Sequence, residues 1–293
     1  IMNETQVTPF LVKRAEKYVK DFFVGKGYYN VDVKIVQRND LAKKNYVILD
    51  INVDKKEKVK VKSLTFVGNK ELGYSKLNRA MKKTNEKGLI NFFKSKKFVK
   101  ESYENDLVAL IEKYNENGYR DARIIKETVT RHEDDNIVDI VIELEEGPKY
   151  HIGDVVWVGN SIYTGDYLNR VLNMKQGDIY NSKKMNERLF QDDDAVHNLY
   201  MDNGYLFSNI TPIETNVYGD TIDIEMRIYE GTQATINEVI IKGNDKTHEH
   251  VARREIRTKP GQLFSKSELI RTVRELANLG HFDPEAISPV PIP

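Results

Sequence analysis

Residues 155–160 read VVWVGN, an apolar run cut off at Gly-Asn, a pair that marks a turn. Phe66-Val67-Gly68-Asn69 and Ile241-Lys242-Gly243-Asn244 end in the same way. The Gly-Asn glycines stand at 68, 159 and 243, spaced by 91 and 84 residues. Gly-Tyr keeps step at 27, 118 and 204, and Gly280-His281-Phe282 continues that series. A third marker, Glu-Gly, falls at 146 and 230. Three markers in one fixed order indicate an internal repeat, which turn composition alone does not produce.

The residues around each marker give the secondary structure of the repeat. Positions two, four and seven before the Gly-Asn glycine are Phe66, Leu64 and Val61, then Trp157, Val155 and Ile152, then Ile241, Val239 and Ile236. Steps of two place side chains on one face of a strand, and the odd last step predicts a bulge or a strand start. Positions four and eight before the Gly-Tyr glycine are Phe23 and Val19, Tyr114 and Leu110, Tyr200 and Val196, and Leu276 and Thr272. That spacing marks one face of a helix. Thr8-Pro9 reads as the N-cap and first position of the earliest such helix. A shorter amphipathic stretch precedes it in the later copies, at Tyr74–Lys83 and Asp166–Met174. After Gly-Tyr, Ala122–Arg131 with Ile137–Glu145, and Leu206–Val217 with Thr221–Tyr229, alternate as hairpins with one buried face.

The fold class is therefore α+β: a tandem array of β-α-α-β-β modules, each a three-stranded mixed sheet covered on one face by two helices. The expected boundaries are a partial module at 1–57, complete modules at 58–148 and 149–232, and a partial module at 233–293. The repeat predicts a strand and a helix before residue 1 and a closing strand beyond residue 293. The second module carries an insertion at 87–100, whose Phe92, Phe93 and Phe98 are read as packing under a longer helix connection, with an exposed hook as the competing reading.

Composition bounds the chemistry. Among 293 residues, 45 basic and 45 acidic side chains balance, which argues against a nucleic-acid partner. Cysteine is absent, so disulfides, thiol nucleophiles and Cys-ligated zinc are excluded. No P-loop, GxSxG, HExxH or Rossmann glycine pattern occurs. His248-Glu249-His250, Asp192-Asp193-Asp194 and the lysines at 94, 96, 97 and 100 read most simply as solvated surface. No catalytic residue, metal or cofactor is expected, and the chain reads as a binding module rather than an enzyme.

The order strand–Gly-Asn, helix, helix–Gly-Tyr, hairpin, Glu-Gly resembles the polypeptide-transport-associated (POTRA) domains of the BamA family of outer-membrane barrel-assembly proteins. Val251–Arg257 (VARREIR), Pro260-Gly261 and Leu276–Phe282 (LANLGHF) resemble the module that precedes the membrane barrel in that family. The resemblance implies a periplasmic arm, joined to the outer membrane by a C-terminal β-barrel absent from this chain. Its implied partners are unfolded outer-membrane proteins and the accessory lipoproteins of the assembly complex, without nucleic acid.

A three-stranded sheet has open edges, and an extended client can add to one as a further strand. The strand after Gly-Tyr is the expected edge, because its hairpin partner should be central. The candidate client-binding residues are Val31, Val33 and Ile35; Ala122, Ile124 and Lys126; and Leu206, Ser208 and Ile210. Arg253, Arg254 and Glu255 match the charged motif of the family's last module and are the candidate docking residues for an accessory subunit. An internal salt bridge is the competing reading of that motif. Alternative functions are the arm of a translocation-and-assembly or two-partner secretion barrel, a spacer that binds nothing, and an enzyme with a cryptic site.

Overall fold

The computed structural model describes residues 6–85, 96–132 and 135–292. The chain divides into two compact units, Ile1–Asn115 with Tyr119–Pro148, and Glu116–Gly118 with Lys149–Pro293.

The first unit opens with helix α1 (Pro9–Gly25). Thr8 caps it, its hydroxyl accepting the Leu11 N–H at 3.2 Å. Strands β1 (Asp32–Asn39) and β2 (Val47–Asp54) form an antiparallel hairpin. Then follow β3 (Lys60–Val67), α2 (Tyr74–Ala80), α3 (Lys100–Asn115), β4 (Arg123–His132) and β5 (Ile137–Glu145). Their sheet has the order β3-β5-β4, with β5 parallel to β3 and antiparallel to β4. Alternate β5 residues Val138, Ile140, Ile142 and Leu144 are buried against Leu110 and Tyr114 of α3 and Leu77 of α2. Phe98 joins this core, as expected for the insertion, whereas Phe92, Phe93 and Lys94 lie outside the described residues.

The second unit repeats the pattern with β6 (His151–Val158), α4 (Gly165–Leu172), α5 (Ser182–Asn186), one π-helical turn (Glu187–Gln191), α6 (Val196–Asp202), β7 (Asn209–Tyr218) and β8 (Thr221–Tyr229). Its sheet order is β6-β8-β7. Both first strands slip register where the odd spacing predicts a bulge, between Val61 and Ser63 and between Ile152 and Val155. Helices α7 (Glu249–Glu255) and α8 (Lys266–Asn278) complete the unit.

The three markers meet in space. Gly68 has φ +92°, and a Cβ there would lie 2.1 Å from the Leu144 carbonyl oxygen of the central strand; Gly159 repeats this against Ile228 at 2.2 Å. Only glycine lets the chain turn so close to that strand. The following Asn69 and Asn160 donate from their side-chain amides to the Leu72 and Tyr163 carbonyls at 3.1 and 2.8 Å, tying off the loop. The Glu146 carboxylate accepts the N–H groups of Lys70, Glu71 and Leu72 at 2.8–3.2 Å and the Tyr114 hydroxyl at 3.0 Å. Glu230 likewise accepts from the Ser161 and Ile162 N–H groups, the Ser161 hydroxyl and Tyr200. Glu-Gly therefore anchors the Gly-Asn loop to the helix that ends at Gly-Tyr.

The two modules solve the exit from their first helix differently. In the first unit the helix ends at Ala80 rather than Lys83, because buried Asp106 of α3 accepts the Lys83 and Thr84 N–H groups at 2.8 and 2.6 Å. In the second unit, the π turn carries Arg188 across to the Val171 and Leu172 carbonyls at the end of α4. The same guanidinium binds Asp192 and Asp194, so two of the three carboxylates in the acidic run pair with this arginine.

One expectation fails. The segment 236–241 forms no strand, although its apolar spacing matches β3 and β6. Those strands are held by β5 and β8, and no such partner strand lies beside 236–241 among the described residues; Thr235 makes only an isolated bridge to Leu263. Alternation specifies which face is apolar, but a strand exists only when its backbone groups are paired.

Candidate functional site

In each complete module the hairpin strand after Gly-Tyr lies at the sheet edge, and its partner is central. The nine candidate edge residues fall into two groups. Val31, Ala122, Leu206 and Ser208 precede their strands, which begin at Asp32, Arg123 and Asn209. Val33, Ile35, Ile124, Lys126 and Ile210 lie within them. Val31, Ile35, Ala122, Ser208 and Ile210 are buried, so their side chains serve the core. What β4 and β7 offer outward is backbone, whereas in β1 the Ile35 N–H already donates to Glu16 at 2.8 Å.

Beyond Ile124, β4 is almost wholly exposed, including Ile125 and Val129. Side chains brace it to the central strand: Arg123 to Glu145 at 2.7 Å and Lys126 to Glu143 at 3.9 Å. On the uncovered face of the sheet, Asp139 of β5 accepts the Ser63 hydroxyl of β3 at 2.5 Å and meets His132 Nε2 of β4 at 2.7 Å. The Ser63 hydrogen bond foremost, with help from His132, lowers the Asp139 carboxyl below its ordinary range against the opposing effect of burial. The second sheet places Asp223 at the corresponding point, where it accepts the Asp154 N–H at 2.9 Å inside the bulge of β6. These clusters stitch strands together.

The helix side of β7 borders a groove of about 330 Å³ lined by Tyr180, Met185, Pro212, Glu214 and Ile224. The Tyr180 hydroxyl donates to Glu214 at 2.6 Å across it. In the last segment, Arg253 of α7 binds Glu249 one turn earlier, with Nε at 3.0 Å, and Arg254 pairs with Glu255 at 2.8 Å. Arg257 makes a two-pronged contact with Glu275 of α8 at 2.6 and 2.8 Å. The docking candidates thus hold internal ion pairs, while Arg254 remains the most exposed of the three. The His248 and His250 rings stack at 5.7 Å, and among the described residues no three acidic or histidine side chains gather as a metal site.

Sequence reasoning did not single out Glu146, Glu230, Asp106 or Arg188 as anchors. For the two glutamates a signal was available: each opens a Glu-Gly pair, 32 and 30 residues after a tyrosine in the last turns of a helix.

Comparison with known proteins places these features. The POTRA family, described as a surface antigen variable number repeat, matches residues 59–147, 150–231 and 234–292. The chain is 29% identical over 279 residues to the outer membrane protein assembly factor BamA of Neisseria meningitidis serogroup B, covering 94% of this chain and 34% of that protein. It is 28% identical to a putative outer membrane protein assembly factor of Treponema pallidum, covering 92% of this chain and 32% of that protein. The chain thus spans about a third of the length of these relatives. Among solved structures, the POTRA3-5 segment of Haemophilus influenzae BamA superposes with a TM-score of 0.60 at 21% identity, covering 77% of this chain and 87% of that one. With the family matched over most of its length, and with the sheets and helices of that fold, this chain belongs to the POTRA family.

Proposed function

We propose that this chain is a periplasmic arm of an outer-membrane β-barrel assembly machine, and that it holds unfolded outer-membrane protein segments by adding them as strands to its sheet edges. The arm would reach the outer membrane through a β-barrel outside this chain. The observation that carries the reading is that β4 and β7 each border a sheet on one side only, beside a fully paired central strand. Backbone pairing accepts many sequences, which suits a receptor for diverse clients. The names of the relatives, outer membrane protein assembly factors, agree with this role. Val33, Ile124 and Ile210 would turn backbone groups toward an added strand, whereas the Ile35 N–H already donates to Glu16 at 2.8 Å and Lys126 faces β5. Val31, Ala122, Leu206 and Ser208 would fix where each edge begins. Arg253, Arg254 and Glu255 would dock an accessory lipoprotein.

Amide hydrogen exchange tests the client reading. Adding an outer-membrane barrel polypeptide, diluted from urea, should slow exchange of β4 amides while leaving β5 unchanged. Unaltered exchange along every edge strand at saturating polypeptide would make the chain a spacer.

A further inference from the structure

The two complete modules do not offer equivalent edges: we infer that Pro212 closes the β7 edge to strand addition and leaves β4 as the receptor. The inference rests on the strand-addition reading above and assigns it to one edge.

Antiparallel ladders alternate between residues whose backbone groups face the partner and residues whose groups face away. Proline has no N–H and keeps its place in a sheet only where its nitrogen points away from the partner strand. Pro212 lies inside β7, opposite Met226 of β8, in unbroken register from Asn209 to Glu214. Its nitrogen therefore faces the free edge. Ile210 and Glu214, two residues to either side, share that orientation. The register then slips between Glu214 and Asn216. The regular part of this edge thus presents three outward positions, and the middle one has no donor. An added strand would lose the central bond and would meet the pyrrolidine ring there.

The corresponding stretch of β4 is intact. Glu127 stands opposite Ile142 as Pro212 stands opposite Met226, and Ile142 and Met226 are equivalent: both are buried, and they pair with Phe66 and Trp157 respectively. The β4 register slips earlier, between Ile124 and Lys126, and then runs unbroken to His132. Glu127, Val129 and Arg131 are therefore the outward positions, and each has an N–H. Proline on an edge strand is a known means of blocking unwanted pairing. Here it makes adjacent copies of one module unequal.

The test exchanges the two residues' roles. Full-length chain labelled with 15N is titrated with a ten-residue peptide of alternating valine and threonine. In the native chain, amide shifts should be confined to Glu127–Arg131 of β4. In Pro212→Val, shifts should appear at Ile210–Glu214, with affinity gained by about five-fold or more, the worth of one ladder bond. Glu127→Pro should abolish the β4 response while β7 stays silent. Its nitrogen faces away from β5, so the sheet is kept, and unchanged β5 amide positions verify that. The inference is overturned if β7 responds as strongly as β4 in the native chain, or if Pro212→Val stays silent at β7 while β4 responds. Silence at both edges in all three proteins overturns the strand-addition reading itself, and this inference with it.

Discussion

Glu146 holds together the parts of a module that lie farthest apart in sequence. Its carboxylate is buried and would on that account titrate high. The N–H groups of Glu71, Leu72 and Lys70 and the Tyr114 hydroxyl outweigh burial and bring its pKa below the ordinary 4.5. The reverse holds for Tyr114: burial and the facing carboxylate raise its hydroxyl pKa. Because the folded-state pKa of Glu146 is depressed, its stabilisation is fully present above pH 4.5 and is lost as pH falls through the folded value. Glu146→Gln turns an amide group toward N–H donors and leaves at least one unpaired, which should cost about 3 kcal/mol in urea unfolding at pH 7. The difference between variant and native chain should shrink below pH 4.5. A constant difference from pH 7 to pH 3 would show that the charge is not what binds the loop.

The glycines of the same motif separate crowding from backbone strain. Gly68 and Gly243 both have positive φ, +92° and +81°. A Cβ at Gly68 collides with the Leu144 carbonyl, and at Gly243 it meets nothing within 4 Å. Gly243→Ala should therefore cost about 1 kcal/mol, from the left-handed conformation alone. Gly68→Ala should cost about 4 kcal/mol or more, since the turn must also move off the central strand. Equal losses in the two variants, read by thermal unfolding, would mean that close approach to the strand contributes nothing.

Helices and strands were legible in proportion to how far local patterning decides them. Periodicity of two gave β5 and β8 to the residue, because one face is buried and a slip would expose every apolar side chain. The edge strands start later than expected, at Arg123 and Asn209, because Ala122 and Ser208 are core residues of the preceding turn. The strand expected at 236–241 depended on a partner, which alternation cannot supply. The exits from the first helices were illegible, since they turn on Asp106 and Arg188, single polar residues with no periodic signature. The candidate site was legible as an edge. Its register was not, since register depends on the bulges in β4 and β7. Capping between elements is equally long-range. Asp202 at the end of α6 accepts the Ser267 N–H at 2.7 Å and the Ser265 hydroxyl at 3.2 Å, so it shares the N-cap of α8 with Ser265. Asp202→Ala should destabilise α8 by about 1 kcal/mol, seen as faster exchange of its first-turn amides with β8 unaffected. Unchanged α8 exchange would show that Ser265 alone suffices.

Within the first unit, stability is unevenly distributed. The described part of the segment 1–57, residues 6–57, carries α1, which has no buried residue, and a hairpin in which only Ile35 is buried, together with Val31 just before it. An open cleft of about 1330 Å³ lies between α1 and the hairpin. So little buried surface cannot order a helix and two strands unaided. The neighbouring module supplies the rest. Val59 N–H donates to the Gly27 carbonyl at 3.1 Å, and Phe98 N–H donates to Val59 at 2.8 Å. The Asn30 side chain donates to Asn136 at 2.7 Å and accepts from Arg131 at 2.5 Å. Tyr29 packs on Phe98 with ring centroids 5.8 Å apart and lies under the Arg131 guanidinium. A repeat array stabilised by nearest neighbours should then transmit damage from the complete module to the partial one. Phe98→Ala, which removes a side chain shared by that core and that joint, should cost about 3–5 kcal/mol. Protection of β1–β2 amides should fall together with that of β3–β5, and by a similar factor. A hairpin that keeps its protection while β3–β5 loses it would show that 1–57 stands by itself, and that the joint orders nothing.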